Sequence, residues 1–168
     1  MGKVGCGGYL RLLLALCLAL TLVFTGCVTD PVGVAVDHGD ITLILPADFM
    51  DLSGESFAAG MDFLYGRNSL IVKGLSEKKS ALQAMTLAEY TAYVISGNKI
   101  TCSPVVFGDG YLFTYETAIG QTLYTYTTAT YEGQDNFWIF QFYCPTIDLA
   151  ENQPEIDIIL EGIQPKKG

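Results

Sequence analysis

Apolar residues along this chain fall into three patterns. The first is a run interrupted only by Thr21, Leu12–Phe24, preceded only by Lys3 and Arg11 as charged residues. The second is a set of runs rich in Tyr, Thr, Phe and Trp, at Tyr111–Ala118, Thr122–Tyr131 and Phe137–Cys144, residue types that fit a pleated, half-buried surface. Ile41–Pro46 is a further strand, closed by proline, and a weaker one lies at Thr101–Phe107. The third pattern has helical period. Leu87, Tyr90, Val94 and Ile95 fall on one face of a helix, as do Ile156, Ile159, Leu160 and Ile163.

Turn and cap residues punctuate these runs. Thr86 with Glu89 three positions on is a capping box, and Gly97-Asn98 stops the helix it opens. Asn152 with Glu155 repeats the capping pattern, with Pro154 in the first turn of the last helix. Met61–Tyr65 and Ser69–Val72, separated by Gly66-Arg67-Asn68, form a hairpin. Gly108-Asp109-Gly110, Ile119-Gly120-Gln121 and Glu132–Asn136 separate the four later strands. The expected fold class is α+β: an antiparallel sheet, made of a hairpin plus a four-strand meander, with helices packed on its faces.

The apolar run at the N-terminus is about 13 residues long, where a membrane-spanning helix needs about 20 and the apolar core of a secretory signal about 7–15. It ends in Leu22-Val23-Phe24-Thr25-Gly26-Cys27. This resembles the lipobox of bacterial prolipoproteins, with Phe24 where that family usually has Leu. The resemblance implies that residues 1–26 are a signal peptide and that Cys27 is the lipidation site. Residues 27–39 are then expected to be a lipid-anchored tether reaching at most roughly 40 Å, and residues 40–168 a single domain. The membrane partner is the bilayer, through lipid on Cys27, and the expected location is the extracytoplasmic face of the cell membrane.

The full chain carries 9 basic and 18 acidic residues, net charge −9. Without Lys3 and Arg11 seven basic residues face eighteen acidic ones, a net charge of −11. Such a domain repels the phosphate backbone, so nucleic acid is not an expected partner. Of 5 cysteines, Cys6 and Cys17 leave with the signal and Cys27 takes lipid. Cys102 and Cys144 alone remain, too few for a disulfide framework or a cysteine metal cluster. In a simple meander they end up about 14 Å apart, beyond disulfide reach, and are expected to be free.

The order of parts resembles the PsbP-like superfamily. The features that carry the likeness are Ile41–Pro46, the early hairpin, the capped helix, the meander with Phe137-Trp138-Ile139-Phe140-Gln141-Phe142 and Pro145, and the terminal stripe Ile156–Ile163. It covers residues 40 to 164. That group includes the extrinsic photosystem II protein, a nuclear-import cofactor and bacterial lipoproteins. Its members bind proteins and assist assemblies, and the likeness brings no catalytic motif.

No catalytic residue, metal site or cofactor is expected. His38, the only histidine, reads as a solvated linker residue, outside any packed cleft that an acyl-transfer triad needs. Asp37, Asp40, Asp48, Asp51 and Glu55 read as acidic surface, without the alternate spacing of a calcium loop. There is no Gly-rich phosphate loop in the domain. The tyrosines are more informative. Tyr111, Phe113 and Tyr115 should share a sheet face with Tyr124, Tyr126 and Thr128. Tyr111, Tyr115, Tyr124 and Tyr126 are therefore candidate interaction or core aromatics, with core the favoured reading because two amphipathic helices need such a face. The expected function is a non-enzymatic binding or assembly module whose partner is an unknown envelope protein or ligand. The alternatives are a carboxylate-dependent envelope hydrolase and a ligand-capture lipoprotein serving a transporter.

Overall fold

The computed structural model describes residues 33–166, and the signal segment and Cys27 lie outside them. The domain is built on a large antiparallel sheet. It contains β3 (Met50–Asp51), β4 (Phe63–Arg67), β5 (Leu70–Lys78), β6 (Val105–Phe107), β7 (Gly110–Ile119), β8 (Thr122–Glu132) and β9 (Asn136–Pro145), in the spatial order β3-β4-β5-β9-β8-β7-β6. A smaller sheet joins β1 (Gly33–Asp37), β2 (Ile41–Pro46) and β10 (Gln164–Pro165), in the order β1-β2-β10. Helix α1 covers Leu87–Gly97 and helix α2 covers Leu149–Glu161. The α+β class and the β6–β9 meander follow the sequence reading.

The two faces of the large sheet are buried differently. On one, Val72, Ala129, Tyr131, Trp138, Phe140 and Phe142 pack against Ile41, Leu43 and Leu45 of β2 and Ile156, Ile159, Leu160 and Ile163 at the α2 end. On the other, Phe113 and Phe137 pack against Tyr90, Val94 and Ile95 of α1. Period two decides the split, since alternate residues of β9 feed opposite layers. Helix α1 is seated by a buried 2.7 Å hydrogen bond between the Thr91 and Thr130 hydroxyls. Its ring partner is Phe137, stacked on Tyr90 at 4.6 Å.

Several local expectations change. Gly33–Asp37, read as tether, is strand β1, paired along its length with β2. The alternation of Val34 and Val36 was the available signal. The early hairpin turns at Asn68-Ser69, not at Gly66, and Asn68 takes φ 50°. Gly66 and Gly74 instead sit inside strands. A Cβ on Gly74 would fall within the Phe63 ring, so that glycine makes room for the aromatic. The last helix starts at Leu149, before Asn152. Asn152 is buried, donating to Asp148 O at 2.9 Å and to Ser69 Oγ at 3.2 Å, so it is an interior residue and not a cap. Of Thr101–Phe107, only Val105–Phe107 forms a strand.

Cys102 and Cys144 are free. Cys144 is 0% exposed, opposite Thr125 on the β2–α2 side of the sheet. Cys102 packs into the α1 layer on the other side. Burial raises both thiol pKa values. Alkylation of the native protein is expected to label Cys102 first and Cys144 only on unfolding, which timed mass spectrometry would read.

Asp40 ties the two sheets together. Its carboxylate accepts from Asp135 N (2.9 Å), Asn136 N (3.1 Å), Asn136 Nδ2 (3.3 Å) and Trp138 Nε1 (2.6 Å). Partial burial pushes its pKa up, but these donors outweigh that and hold the group below its ordinary value. The Asp40 carbonyl also accepts from Lys166 N at 2.8 Å. Asp40→Ala leaves the Asp135, Asn136 and Trp138 donors without their acceptor, and is expected to cost about 2–3 kcal/mol in denaturant unfolding. Asp40→Asn, which keeps one acceptor oxygen, should fall between the two.

Candidate functional site: the open half of the sheet

Helix α1 leaves half of its sheet face uncovered. The register Tyr115↔Tyr126↔Tyr143 places one tyrosine on each of β7, β8 and β9 in a row across the strands. The rings stack almost parallel, at 5.0 Å and 8° for Tyr115–Tyr126 and at 4.9 Å and 16° for Tyr126–Tyr143. Tyr124 meets Tyr143 edge-on at 6.4 Å. On β5, Lys73 lies opposite Gln141, and its Nζ caps the Tyr143 ring at 5.6 Å. All six side chains are half-buried. Thr117 and Ile119 extend the same face, exposed, toward the β7–β8 turn.

The chemistry of this row follows from its geometry. Strands lie about 4.8 Å apart, so paired tyrosines stack face on face and leave ring edges, not faces, to the open side. The Gln141 amide donates to the Tyr115 hydroxyl at 2.9 Å. Burial, reinforced by neighbouring tyrosines, raises the pKa of Tyr115, Tyr126 and Tyr143, so each hydroxyl stays protonated at neutral pH. Burial lowers the pKa of Lys73, and none of the described carboxylates pairs with it.

The expected facing of Tyr115 with Tyr126 is present, and Tyr124 joins them. Tyr111 shares the face but pairs with Thr130 and Val106, away from the row. Tyr143 and Lys73 were not among the sequence candidates. Tyr143 was legible from the β8–β9 hairpin register. Lys73 depends on the pairing of β5 with β9, strands far apart in sequence.

His38 is not a solvated linker residue. It is half-buried, stacked on Phe63 at 4.1 Å and 25°, with Nε2 3.3 Å from the Tyr65 hydroxyl. Burial lowers its pKa, against the opposing pull of Asp62, Asp37 and Asp51. Among the described residues no group of three or more His, Cys, Asp or Glu could hold a metal ion. The described surface hollows are shallow, and one of them borders the tyrosine row between Asn98–Thr101 and Tyr115–Thr117.

No family model matches the chain, and no curated protein matches its sequence. Solved structures do match its fold. The Ran-binding protein Mog1p of Saccharomyces cerevisiae superposes with a TM-score of 0.52 at 10% identity, over 79% of this chain and 95% of that one. LpqN of Mycobacterium tuberculosis, involved in cell envelope biogenesis, gives 0.51 at 14% identity, over 80% and 90%. A protein of Bacteroides thetaiotaomicron gives 0.51 at 14% identity over 76% of this chain, which spans only 46% of that longer one. The domain therefore has the PsbP-like fold. What these likenesses carry is architecture: two helices and a small sheet arranged about one large antiparallel sheet.

The His38 environment makes a pH prediction. The folded pKa lies below the unfolded value of about 6.5, so the unfolded state binds the extra proton as pH falls through that value. Stability from neutral His38 is complete above about pH 6.5 and declines from there toward the lower folded pKa. The melting temperature should therefore drop on acidification from pH 7.5 to 5.5, and His38→Gln should flatten that part of the profile. Asp37, Asp40, Asp51 and Glu89, whose pKa values are also lowered, act in the same sense but at more acid pH, below the His38 window.

Proposed function

We propose that this chain is a lipid-anchored extracytoplasmic module that binds or assembles an envelope component and does not transform one. The observation that carries the reading is the half-open sheet face. The other face is covered by α2 and the small sheet, whereas on this one Tyr115 borders the α1 cluster and Tyr126, Tyr143 and Lys73 lie outside both core clusters. Aromatic surface of this kind is enriched where proteins meet. Four of the acidic groups carry environments that suit a structural role and not a general acid. A general acid needs a raised carboxyl pKa, and Asp37, Asp40, Asp51 and Glu89 are all held below their ordinary values. The shared fold with LpqN, itself tied to envelope biogenesis, fits an envelope location, and among the described residues no helix is long and apolar enough to cross a membrane.

Because β1 starts at Gly33, lipid on Cys27 would hold the domain through residues 28–32 alone. Their reach is at most roughly 20 Å, half that of the longer tether, and an anchored domain would work close to the bilayer.

Mass spectrometry of the membrane fraction is expected to find Cys27 as a diacylglyceryl-modified first residue. A different N-terminus, or an unmodified Cys27, removes the anchor from the reading. Photo-crosslinking from Thr117 on the open face, compared with Tyr93 on the outer side of α1, is expected to give adducts from Thr117 alone. Adducts in equal yield from both positions would deny the face its role.

A further inference from the structure

We infer that the open half of the sheet receives an acidic side chain of a partner protein, seated against Lys73 and framed by the tyrosine hydroxyls. This rests on the binding-module reading above and names the chemistry of its partner.

The charge pattern is the first argument. In a chain of net charge −9, cations are scarce, and three of the six described ones are held in ion pairs. Arg67 pairs with Asp48 at 2.8 Å and with Glu155, Lys79 with Glu132 at 2.9 Å, and Lys166 with Asp37 at 2.6 Å. Lys73 differs. It is half-buried in mid-strand, its pKa is lowered by burial with no carboxylate to offset that, and its one recorded partner is the face of Tyr143. A lysine at such a place loses solvation without recovering it from an ion pair. A carboxylate arriving from outside would recover it, with neutral hydroxyls alongside as donors.

The rings supply the second argument. An aromatic platform for sugars presents ring faces. Here the faces of Tyr126 lie against Tyr115 and Tyr143, and Lys73 caps Tyr143. Edges and hydroxyls remain, which suit short polar side chains better than the flat face of a pyranose. Ile71 and Ile119 flank the row on the same face, so an acidic residue with aliphatic neighbours is the best complement. The patch spans three strand spacings, about 14 Å. That is smaller than the roughly 800 Å² per partner of a full protein interface, and it matches the anchoring centre of one, where a few residues hold most of the affinity.

The test uses the full mature chain in nanodiscs, with NMR signals of Lys73 and the tyrosine rings as the readout. Three probes are titrated: a blocked decapeptide of alternating glutamate and leucine, the same peptide with glutamine for glutamate, and an oligogalacturonate. The glutamate peptide is expected to shift Lys73 and Tyr143, to bind at least about tenfold more tightly than the glutamine peptide, and to weaken as the Debye length falls to about 3 Å in 1 M salt. Lys73→Gln should weaken it by about the same factor, and Lys73→Arg should retain binding. If Lys73→Gln does not fold, Lys73→Arg and the salt titration on the unaltered chain still decide. Equal binding of the two peptides, or shifts confined to other surfaces, overturns the inference. So does an oligogalacturonate that occupies the row while the peptide does not, since the site would then take acidic glycan. Crosslinks from Thr117 without acidic-peptide binding would leave the module standing and remove only its acidic partner.

Discussion

An eleven-residue helix cannot cover a seven-stranded sheet. Helix α1 is about 16 Å long, and seven strands at about 4.8 Å spacing span about 29 Å. On the opposite face the shortfall is met twice over, by α2 and by the β1-β2-β10 sheet, and β2 is buried at Ile41, Leu43 and Leu45. On the α1 face the further contributions are Leu82, Met85, Ile100 and Cys102 from the segments flanking the helix, and they join the same α1 cluster. The Thr91–Thr130 bond and the Tyr90–Phe137 stack hold the helix over one half of that face, and the other half is left open by construction. Residues of one strand then meet different conditions. On β7, Phe113 is core under α1, and Tyr115, two residues on, is half-exposed at the edge of the row.

The Asp40 carboxylate is the counterpart of this openness. It gathers the β1–β2 turn, the β8–β9 turn and the Trp138 indole at one point, while Lys166 binds the same turn from the C-terminal side through Asp37 and the Gly39 carbonyl. Tying the small sheet to the large one there fixes the covered face independently of what lies on the other. A surface left free for partners is compatible with a single native packing only if the remaining layer is over-determined, and this knot of hydrogen bonds contributes to that.

Much of the fold was legible in the sequence because its signals are local. The capping box at Thr86 and Glu89 forms as read, with Glu89 N donating to Thr86 Oγ1 at 3.3 Å. The turn at Gly120 and the alternation of Tyr, Thr and Phe set the β7–β8 register, and with it the shared face of Tyr115 and Tyr126. What was not legible depends on distant partners. His38 is half-buried because it stacks on the Phe63 ring, which itself fills the space that Gly74 leaves on the next strand, a relation no spacing encodes. Asn152 and Glu155 have the spacing of a cap, but the helix begins a turn earlier, and those side chains instead reach Ser69 and Arg67. Lys73 joins the tyrosines only because β9 inserts between β5 and β8.

The tyrosine row then has two roles that differ in what they require of the hydroxyl. Cross-strand stacking alone would be served as well by phenylalanine, because the contact between paired rings is made by their faces. Three adjacent strands nevertheless carry the hydroxylated ring at half-buried positions, where the oxygen reaches the edge of the layer and one of them already accepts from Gln141. Phenylalanine is used under α1, at Phe113 and Phe137, where no water or partner can reach. The change from Phe to Tyr along one sheet face thus coincides with the boundary of the helix that covers it. Stacking explains why aromatic rings stand there, and the hydroxyls beside an unpaired lysine give the open half polar groups at positions where the covered half carries Phe113 and Phe137.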